Sequence, residues 1–272
     1  MVDLHVHSTA SDGTMKPSEL VELAKNIGLR GIAITDHDNT GGCREAMAKG
    51  AKLGVRVIPG IEISTKHKGA VHILGYGIDL DSPVLKTATD WELNDRAERN
   101  KKICALMQAD GLPVYWEDMR SRFGEAMGRP HFGRRLVELG VAESINDAFA
   151  RFLNRGEKYY IGRSYLSIDE SIRIITGSGG TAVLAHPFQY KLTEAELREL
   201  IELCIGCGLT GMECRYSGYT EEQSGYLEKL AEEYGLIRTG GSDFHGANKP
   251  HIALGTGTGG LHVPDEWMDK LG

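Results

Sequence analysis

The run Val2-Asp3-Leu4-His5-Val6-His7 decides how the rest of the chain is read. Val, Leu and Val alternate with Asp, His and His. This is the period of a strand, so the three polar side chains share one face. Residues 16–27 then read as a helix, with Pro17 just inside its start, Leu20, Val21, Leu23, Ala24 and Ile27 at helical spacing, and Gly28 as the stop. The alternation continues. An apolar strand, Gly31–Thr35, runs into Asp36-His37-Asp38, a helix is expected over Arg44–Leu53 ahead of Gly54, and strands are expected over Val55–Ile63 and Ala70–Tyr76. Strands alternating with helices predict a parallel α/β sheet or barrel.

The rhythm changes after Asp79. From Ser82 to Phe152 the sequence is charged and helical, with the longest helix expected over Asp90–Gln108 and Leu93, Ala97, Ile103, Leu106 and Met107 on one face. This reads as a helical insertion. Near Ser167 the alternation resumes, with helices over Ile168–Thr176, Thr193–Cys207 and Glu221–Tyr234 and strands over Gly180–Ala185, Gly211–Cys214 and Ile237–Gly240. Residues 252–271 are too rich in glycine to assign.

Composition sets outer bounds. The chain has 272 residues, 41% hydrophobic and 25% charged, within the range of ordinary globular proteins. No run approaches the ~20 apolar residues of a membrane span. The opening MVDLHVHS lacks the basic and apolar regions of a signal peptide, so a cytoplasmic location is expected. A net charge of −7 argues against duplex nucleic acid as a partner. It leaves small phosphate esters open, because bound cations reverse the local field. The five cysteines are odd in number and scattered. Cys204 and Cys207 form a CxxC without a second pair and read as structural thiols.

Histidines and acids fall where strands end. His5 and His7 stand at i and i+2 on one strand face, and Asp12 follows in a loop. His37 lies just beyond the second strand. Glu62 interrupts the apolar run Ile58–Ser64, and a carboxylate there needs a metal or a buried cation as partner. His72 interrupts Ala70–Tyr76, His186 closes the strand before Pro187, and Asp243 and His245 again stand at i and i+2. Each alone could be a satisfied core residue. Together they predict a cluster, because strand ends converge on one face of a barrel. Imidazole with carboxylate suits Zn, Mn or Fe(II).

His5-Val-His7 with Asp12, Thr35-Asp-His37-Asp38, Glu62, His72, Ala185-His186-Pro187 and Gly241-Ser-Asp243-Phe-His245 resemble the motifs of the PHP (polymerase and histidinol phosphatase) family. The resemblance covers about 1–80 and 165–250. It implies a distorted seven-stranded β/α barrel from residues 1–80 and 160–272, with 81–159 as a helical insertion serving as a substrate lid. It also implies two or three divalent metal ions (Mn, Fe or Zn). One would be held by His5, His7, Glu62 and Asp243, a second by Asp12, His37 and His245, and a third by Glu62, His72 and His186.

The insertion is similar to that of the nucleotide phosphatase and exoribonuclease branch. The expected chemistry is a metal-bridging hydroxide attacking the phosphorus of a nucleotide phosphomonoester such as a 3′,5′-bisphosphonucleotide, with no side chain assigned as general acid. Arg129, His131 and Lys158 are expected to hold phosphate oxygens, against surface solvation for Arg129 and Lys158 and helix packing for His131. Competing expectations are a 5′-to-3′ exonuclease on short RNA or DNA oligonucleotides, metal-assisted amide or lactone hydrolysis, and a non-catalytic metal-binding or regulatory domain.

Overall fold

Both faces of the first strands are covered. Every residue of β1 (Val2–Val6) and β2 (Gly31–Ile34) is buried, as in barrel strands held between an interior and a layer of helices. The structure is a computed structural model describing residues 1–67, 70–124 and 127–271. Around β1 and β2 lie α1 (Pro17–Asn26), α2 (Cys43–Leu53), β3 (Arg56–Lys66) and β4 (Ala70–Tyr76). Next come α3 (Pro83–Ala109), α4 (Trp116–Phe123), α5 (Arg129–Glu138) and α6 (Ile145–Ala148), which continues as a π-helical turn over Phe149–Leu153. The chain finishes with β5 (Leu166–Ser167), α7 (Ile168–Gly177), β6 (Thr181–Leu184), α8 (Glu194–Gly206), β7 (Gly211–Tyr216), α9 (Glu221–Glu233), β8 (Ile237–Gly241) and α10 (Asp265–Met268).

Seven strands follow one another in the order β1-β2-β3-β4-β6-β7-β8, with the two-residue β5 paired to β3 off this path. The sheet is not all parallel, as the strand–helix alternation predicts. β4 runs antiparallel to both β3 and β6. The cause is the connection: only three positions separate Lys66 from Ala70, whereas a parallel crossover takes a dozen or more residues. β8 returns to β1 through a parallel bridge from Val6 to Phe244 and the bonds Asp243 N to His5 O (2.9 Å) and His7 N to Phe244 O (3.0 Å), leaving a nearly closed barrel. The seam depends on Gly241, where a Cβ would lie 2.4 Å from the His5 backbone nitrogen.

Helix starts around the barrel are locally encoded. Ser167, Thr193 and Thr220 each accept from a backbone N–H three residues on (3.2, 3.3 and 3.1 Å). Glu170, Glu196 and Gln223 accept in return from the cap N–H (2.8, 3.0 and 2.9 Å). These reciprocal bonds satisfy amides that the first helical turn leaves unpaired.

The chain divides into two compact units, Met1–Thr89 with Tyr165–Gly272, and Asp90–Ser164. In the first, Leu4, Ile61, Leu74, Val183 and Met212 pack with Ile172, Leu200 and Leu227 from α7, α8 and α9, and a smaller cluster joins Val6 and Ile32 to Leu20 and Cys43. The second has its own core, including Ile103, Met107, Phe132, Leu136 and Leu153. The face of α3 differs from expectation. Leu106 is exposed and Leu93 and Ala97 are half-buried, whereas Glu92, Arg96, Arg99 and Asn100 are buried. Arg163 donates to Glu92 at 2.5 Å, and Asn100 takes a bond from Arg99 and donates to the Met127 carbonyl. All five cysteines are free thiols; Cys204 is buried and Cys207 half-buried. Among the described residues no helix is long and apolar enough to cross a membrane.

Candidate metal centre

The strand ends bring six imidazoles and three carboxylates together. His5 and His7 come from the end of β1, His37 from the turn after β2, His186 from the end of β6, and Asp243 and His245 from the loop after β8. His72 sits near the start of β4. Because β4 is reversed, that start lies level with the C-terminal ends of its neighbours, with His72 opposite Ser64 of β3. The rings form a chain of contacts: His7 lies 4.0 Å from His245, 4.6 Å from His37 and 5.2 Å from His5, and His72 lies 5.1 Å from His186 between centroids.

Glu62 occupies the middle. Its Oε1 lies 2.7 Å from His72 Nδ1 and 2.9 Å from His186 Nε2. Its Oε2 lies 3.3 Å from His5 Nε2, 3.2 Å from His7 Nε2 and 3.1 Å from His37 Nδ1. Those three nitrogens and Oε2 are buried, and none makes a hydrogen bond. Buried polar atoms left without partners are costly, and imidazole nitrogens gathered around a carboxylate oxygen in this way are the arrangement a divalent cation satisfies. Three sets of donor atoms are close enough to share an ion: His5, His7 and Asp243; His7, Asp12, His37 and His245; and His37, Glu62 and His72. The donor chemistry therefore fits bound divalent metal.

Without cations the groups polarise one another. Burial opposes protonation of His7, but the carboxylates of Asp243 and Glu62 close beside it overcome this and raise the ring to about 9. Burial wins at His37, which is pushed down to about 3. Burial favours the neutral forms of Asp12, Glu62 and Asp243 too, yet their neighbours hold all three well below the usual carboxylate range: the His245 imidazole for Asp12, the surrounding imidazoles of His37, His5 and His72 for Glu62, and the Lys249 ammonium for Asp243. Metal binding to such a site displaces protons from the imidazoles.

Several supporting residues carry no expectation in the sequence reading. Glu213, fully buried in β7, accepts from His5 Nδ1 at 3.0 Å and from the His186 backbone N–H at 2.8 Å. The first bond leaves His5 Nε2 as the free lone pair aimed inward, the carboxylate–imidazole relay that orients metal ligands. His245 Nδ1 is held in the same way by the Asp243 carbonyl at 2.9 Å. Asp3 accepts from Ser242 N, Ser242 Oγ and Gly255 N (2.8, 2.5 and 2.7 Å), fixing the loop before Asp243. Asp36 accepts from Ser8 and Ser11, shaping the loop that bears Asp12, and Asp38 accepts from Ser64 N. Asp38, His186 and Asp243 have φ of 54°, 26° and 56°. Positive φ outside glycine costs about 1–3 kcal/mol per residue and gathers at functional sites. An acid within a short apolar strand, the signal that singled out Glu62, also marks Glu213.

The three residues expected to hold phosphate lie in the Asp90–Ser164 unit, each engaged there. Arg129 donates to the Leu153 carbonyl (3.1 Å) and lies against the Phe149 and Tyr160 rings. His131 is buried and accepts from the Gly128 N–H (3.0 Å), capping α5. Lys158, exposed, pairs with Asp110 at 2.6 Å.

A nearly closed barrel with imidazoles and carboxylates clustered at its strand ends defines a class, the metal-dependent hydrolases. The PHP domain family matches residues 3–204, and the chain belongs to that family. It is a metal-dependent phosphoesterase. Relatives include the 5′-3′ exoribonuclease of Haemophilus influenzae, 34% identical over 89% of this chain and 89% of the relative. The 3′,5′-nucleoside bisphosphate phosphatase of Chromobacterium violaceum is 32% identical over 90% of this chain and 87% of the relative. The crystal structure of a candidate metal-dependent phosphoesterase from Bifidobacterium adolescentis superposes with a TM-score of 0.87 at 33% identity, covering 99% of this chain and 94% of that one.

Proposed function

We propose that the enzyme hydrolyses the phosphate monoester of a nucleotide, such as a 3′,5′-bisphosphonucleotide, with His5, His7, Asp12, His37, Glu62, His72, His186, Asp243 and His245 as the ligands of two or three divalent cations. The observation that carries this reading is Glu62, whose two oxygens face five imidazole nitrogens between them, three at Oε2 and two at Oε1. A carboxylate so placed would help to hold the cations together with the imidazoles around it. When bound, the cations supply charge neutralisation for the phosphate oxygens and acidify water near neutral pH. The chain's own part is orientation: Glu213 sets the tautomer of His5, the Asp243 carbonyl sets that of His245, and Asp36 and Asp3 rigidify the loops bearing Asp12 and Asp243. Mn, Fe and Zn all suit the donor set. In this proposal residues 81–159 cover the substrate, and Arg129, His131 and Lys158 hold its phosphate oxygens.

The second reading is a 5′-to-3′ exonuclease on short oligonucleotides, favoured by the similarity to the H. influenzae enzyme. Phosphate release and chain shortening, measured across mononucleotides, bisphosphonucleotides and short oligonucleotides with Mn, Fe or Zn supplied, decides between them. Turnover confined to bisphosphonucleotides supports the first reading, stepwise shortening supports the second, and no turnover on any phosphoester defeats both.

A further inference from the structure

Lys249 stands beside the metal centre and is not one of its proposed ligands. It follows Asp243 by one short turn, Gly246–Asn248, which is fastened to the loop of Asp12. Ala247 N donates to Thr14 Oγ1 (2.8 Å) and Asn248 Nδ2 donates to the Asp12 carbonyl (2.6 Å). The Lys249 ammonium donates to Asp243 Oδ2 at 2.6 Å. The same oxygen accepts from the Tyr216 hydroxyl at 2.6 Å, while Oδ1 faces His7 Nε2 (3.2 Å) and His245 Nδ1 (3.3 Å). Tyr216 already settles which carboxylate oxygen turns toward the imidazoles, so the lysine is not needed as a second peg.

Two further observations separate Lys249 from a peg. Its side chain is 34% exposed beside an Asp243 that is 8% exposed, so Lys249 stands at the edge of the buried cluster, where solvent reaches its side chain. An ammonium has three donors, and the bond to Asp243 uses one. Among the described residues no other lysine or arginine is ion-paired with any of the nine histidines and acids of the centre. A lysine is a compact cation on a flexible stem, suited to a phosphate as a point charge.

We propose that Lys249 is the barrel's own phosphate-binding residue, its ammonium bridging Asp243 and the terminal phosphate of the substrate and selecting a dianionic phosphate monoester over a monoanionic diester. The selection follows from Coulomb's law, because one fixed positive charge interacts twice as strongly with a dianion as with a monoanion at equal distance. The proposal rests on the phosphoesterase reading and names the charge state of its substrate.

The test compares wild-type protein with Lys249→Met and Lys249→Arg, each loaded with Mn. Metal content, kcat/KM on p-nitrophenyl phosphate and on bis(p-nitrophenyl) phosphate, and binding of inorganic phosphate are measured. The expected result is full metal content in Lys249→Met, a fall of about 10- to 100-fold in kcat/KM for the monoester, a much smaller fall for the diester, and matching weakening of phosphate binding. Lys249→Arg, which keeps the charge, restores part of each loss. Equal losses on both esters, or loss of metal in Lys249→Met, would overturn the assignment in favour of a positioning role on Asp243; unchanged kinetics would also overturn it. If wild-type protein cleaves neither ester, the phosphoesterase reading is what fails, and phosphate binding alone then decides Lys249: unchanged affinity in Lys249→Met removes it.

Discussion

Two groups of buried polar side chains, one in each unit, solve the same desolvation problem in opposite ways. In the Asp90–Ser164 unit, Glu92 and Arg163 are each 3% exposed and meet at 2.5 Å, anion against cation. In the barrel, Glu62 Oε2 and the nitrogens of His5, His7 and His37 are buried too, yet no hydrogen bond joins them. Burial of charge is therefore not what marks the site. What marks it is convergence of metal-ligating atoms that find no hydrogen-bond partner in one another, a deficit that a bound cation would remove.

The strongest way to break this contrast is to remove acceptors. Asp243→Ala and His7→Ala should abolish metal content and turnover together, with activity down at least about 100-fold; metal analysis beside kinetics checks this, and a fully loaded variant would refute the ligand assignment. Glu92→Ala tests the other half. It should cost about 3–5 kcal/mol of stability by stranding Arg163, read by denaturant unfolding, with metal content unchanged. A paired Glu92→Leu, Arg163→Met replacement, which removes both charges together, should recover much of that loss. Glu213→Gln should leave the fold intact and lower metal affinity or activity about 10- to 100-fold, seen by titration with Mn or Zn. The smallest effect belongs to Arg129→Ala. Its KM should rise about tenfold or less with metal content full, and identical steady-state kinetics would remove Arg129 from substrate binding.

Much of the centre is legible because strand ends write it in short range. His5 with His7 and Asp243 with His245 announce a shared face by their i, i+2 spacing, and Glu62 and His72 stand out as polar breaks in apolar runs. The reversed β4 was legible too, in the three-position link after Lys66, but alternation of strands and helices overrode it. Glu213 carries the same mark as Glu62 within a shorter apolar stretch. Tyr216 and Lys249 carry none, since their contacts with Asp243 arise from where β7 and the turn after β8 arrive in space. On α3 the apolar positions misled in part: Ile103 and Met107 are buried as their spacing implies, but the helix also buries Glu92 against Arg163 and Asn100 against Arg99, pairings that the periodicity of apolar residues does not register.

The seam at Gly241 ties the chemistry to the closing of the barrel. His5 and Asp243 are 238 positions apart in the chain, and closing a loop of that length costs about 5 kcal/mol of chain entropy. Until β8 docks beside β1, the ligating atoms on the two strands stand apart. The cofactor site is finished by the same event that completes the barrel, so a captured ion would act as a rivet across that seam.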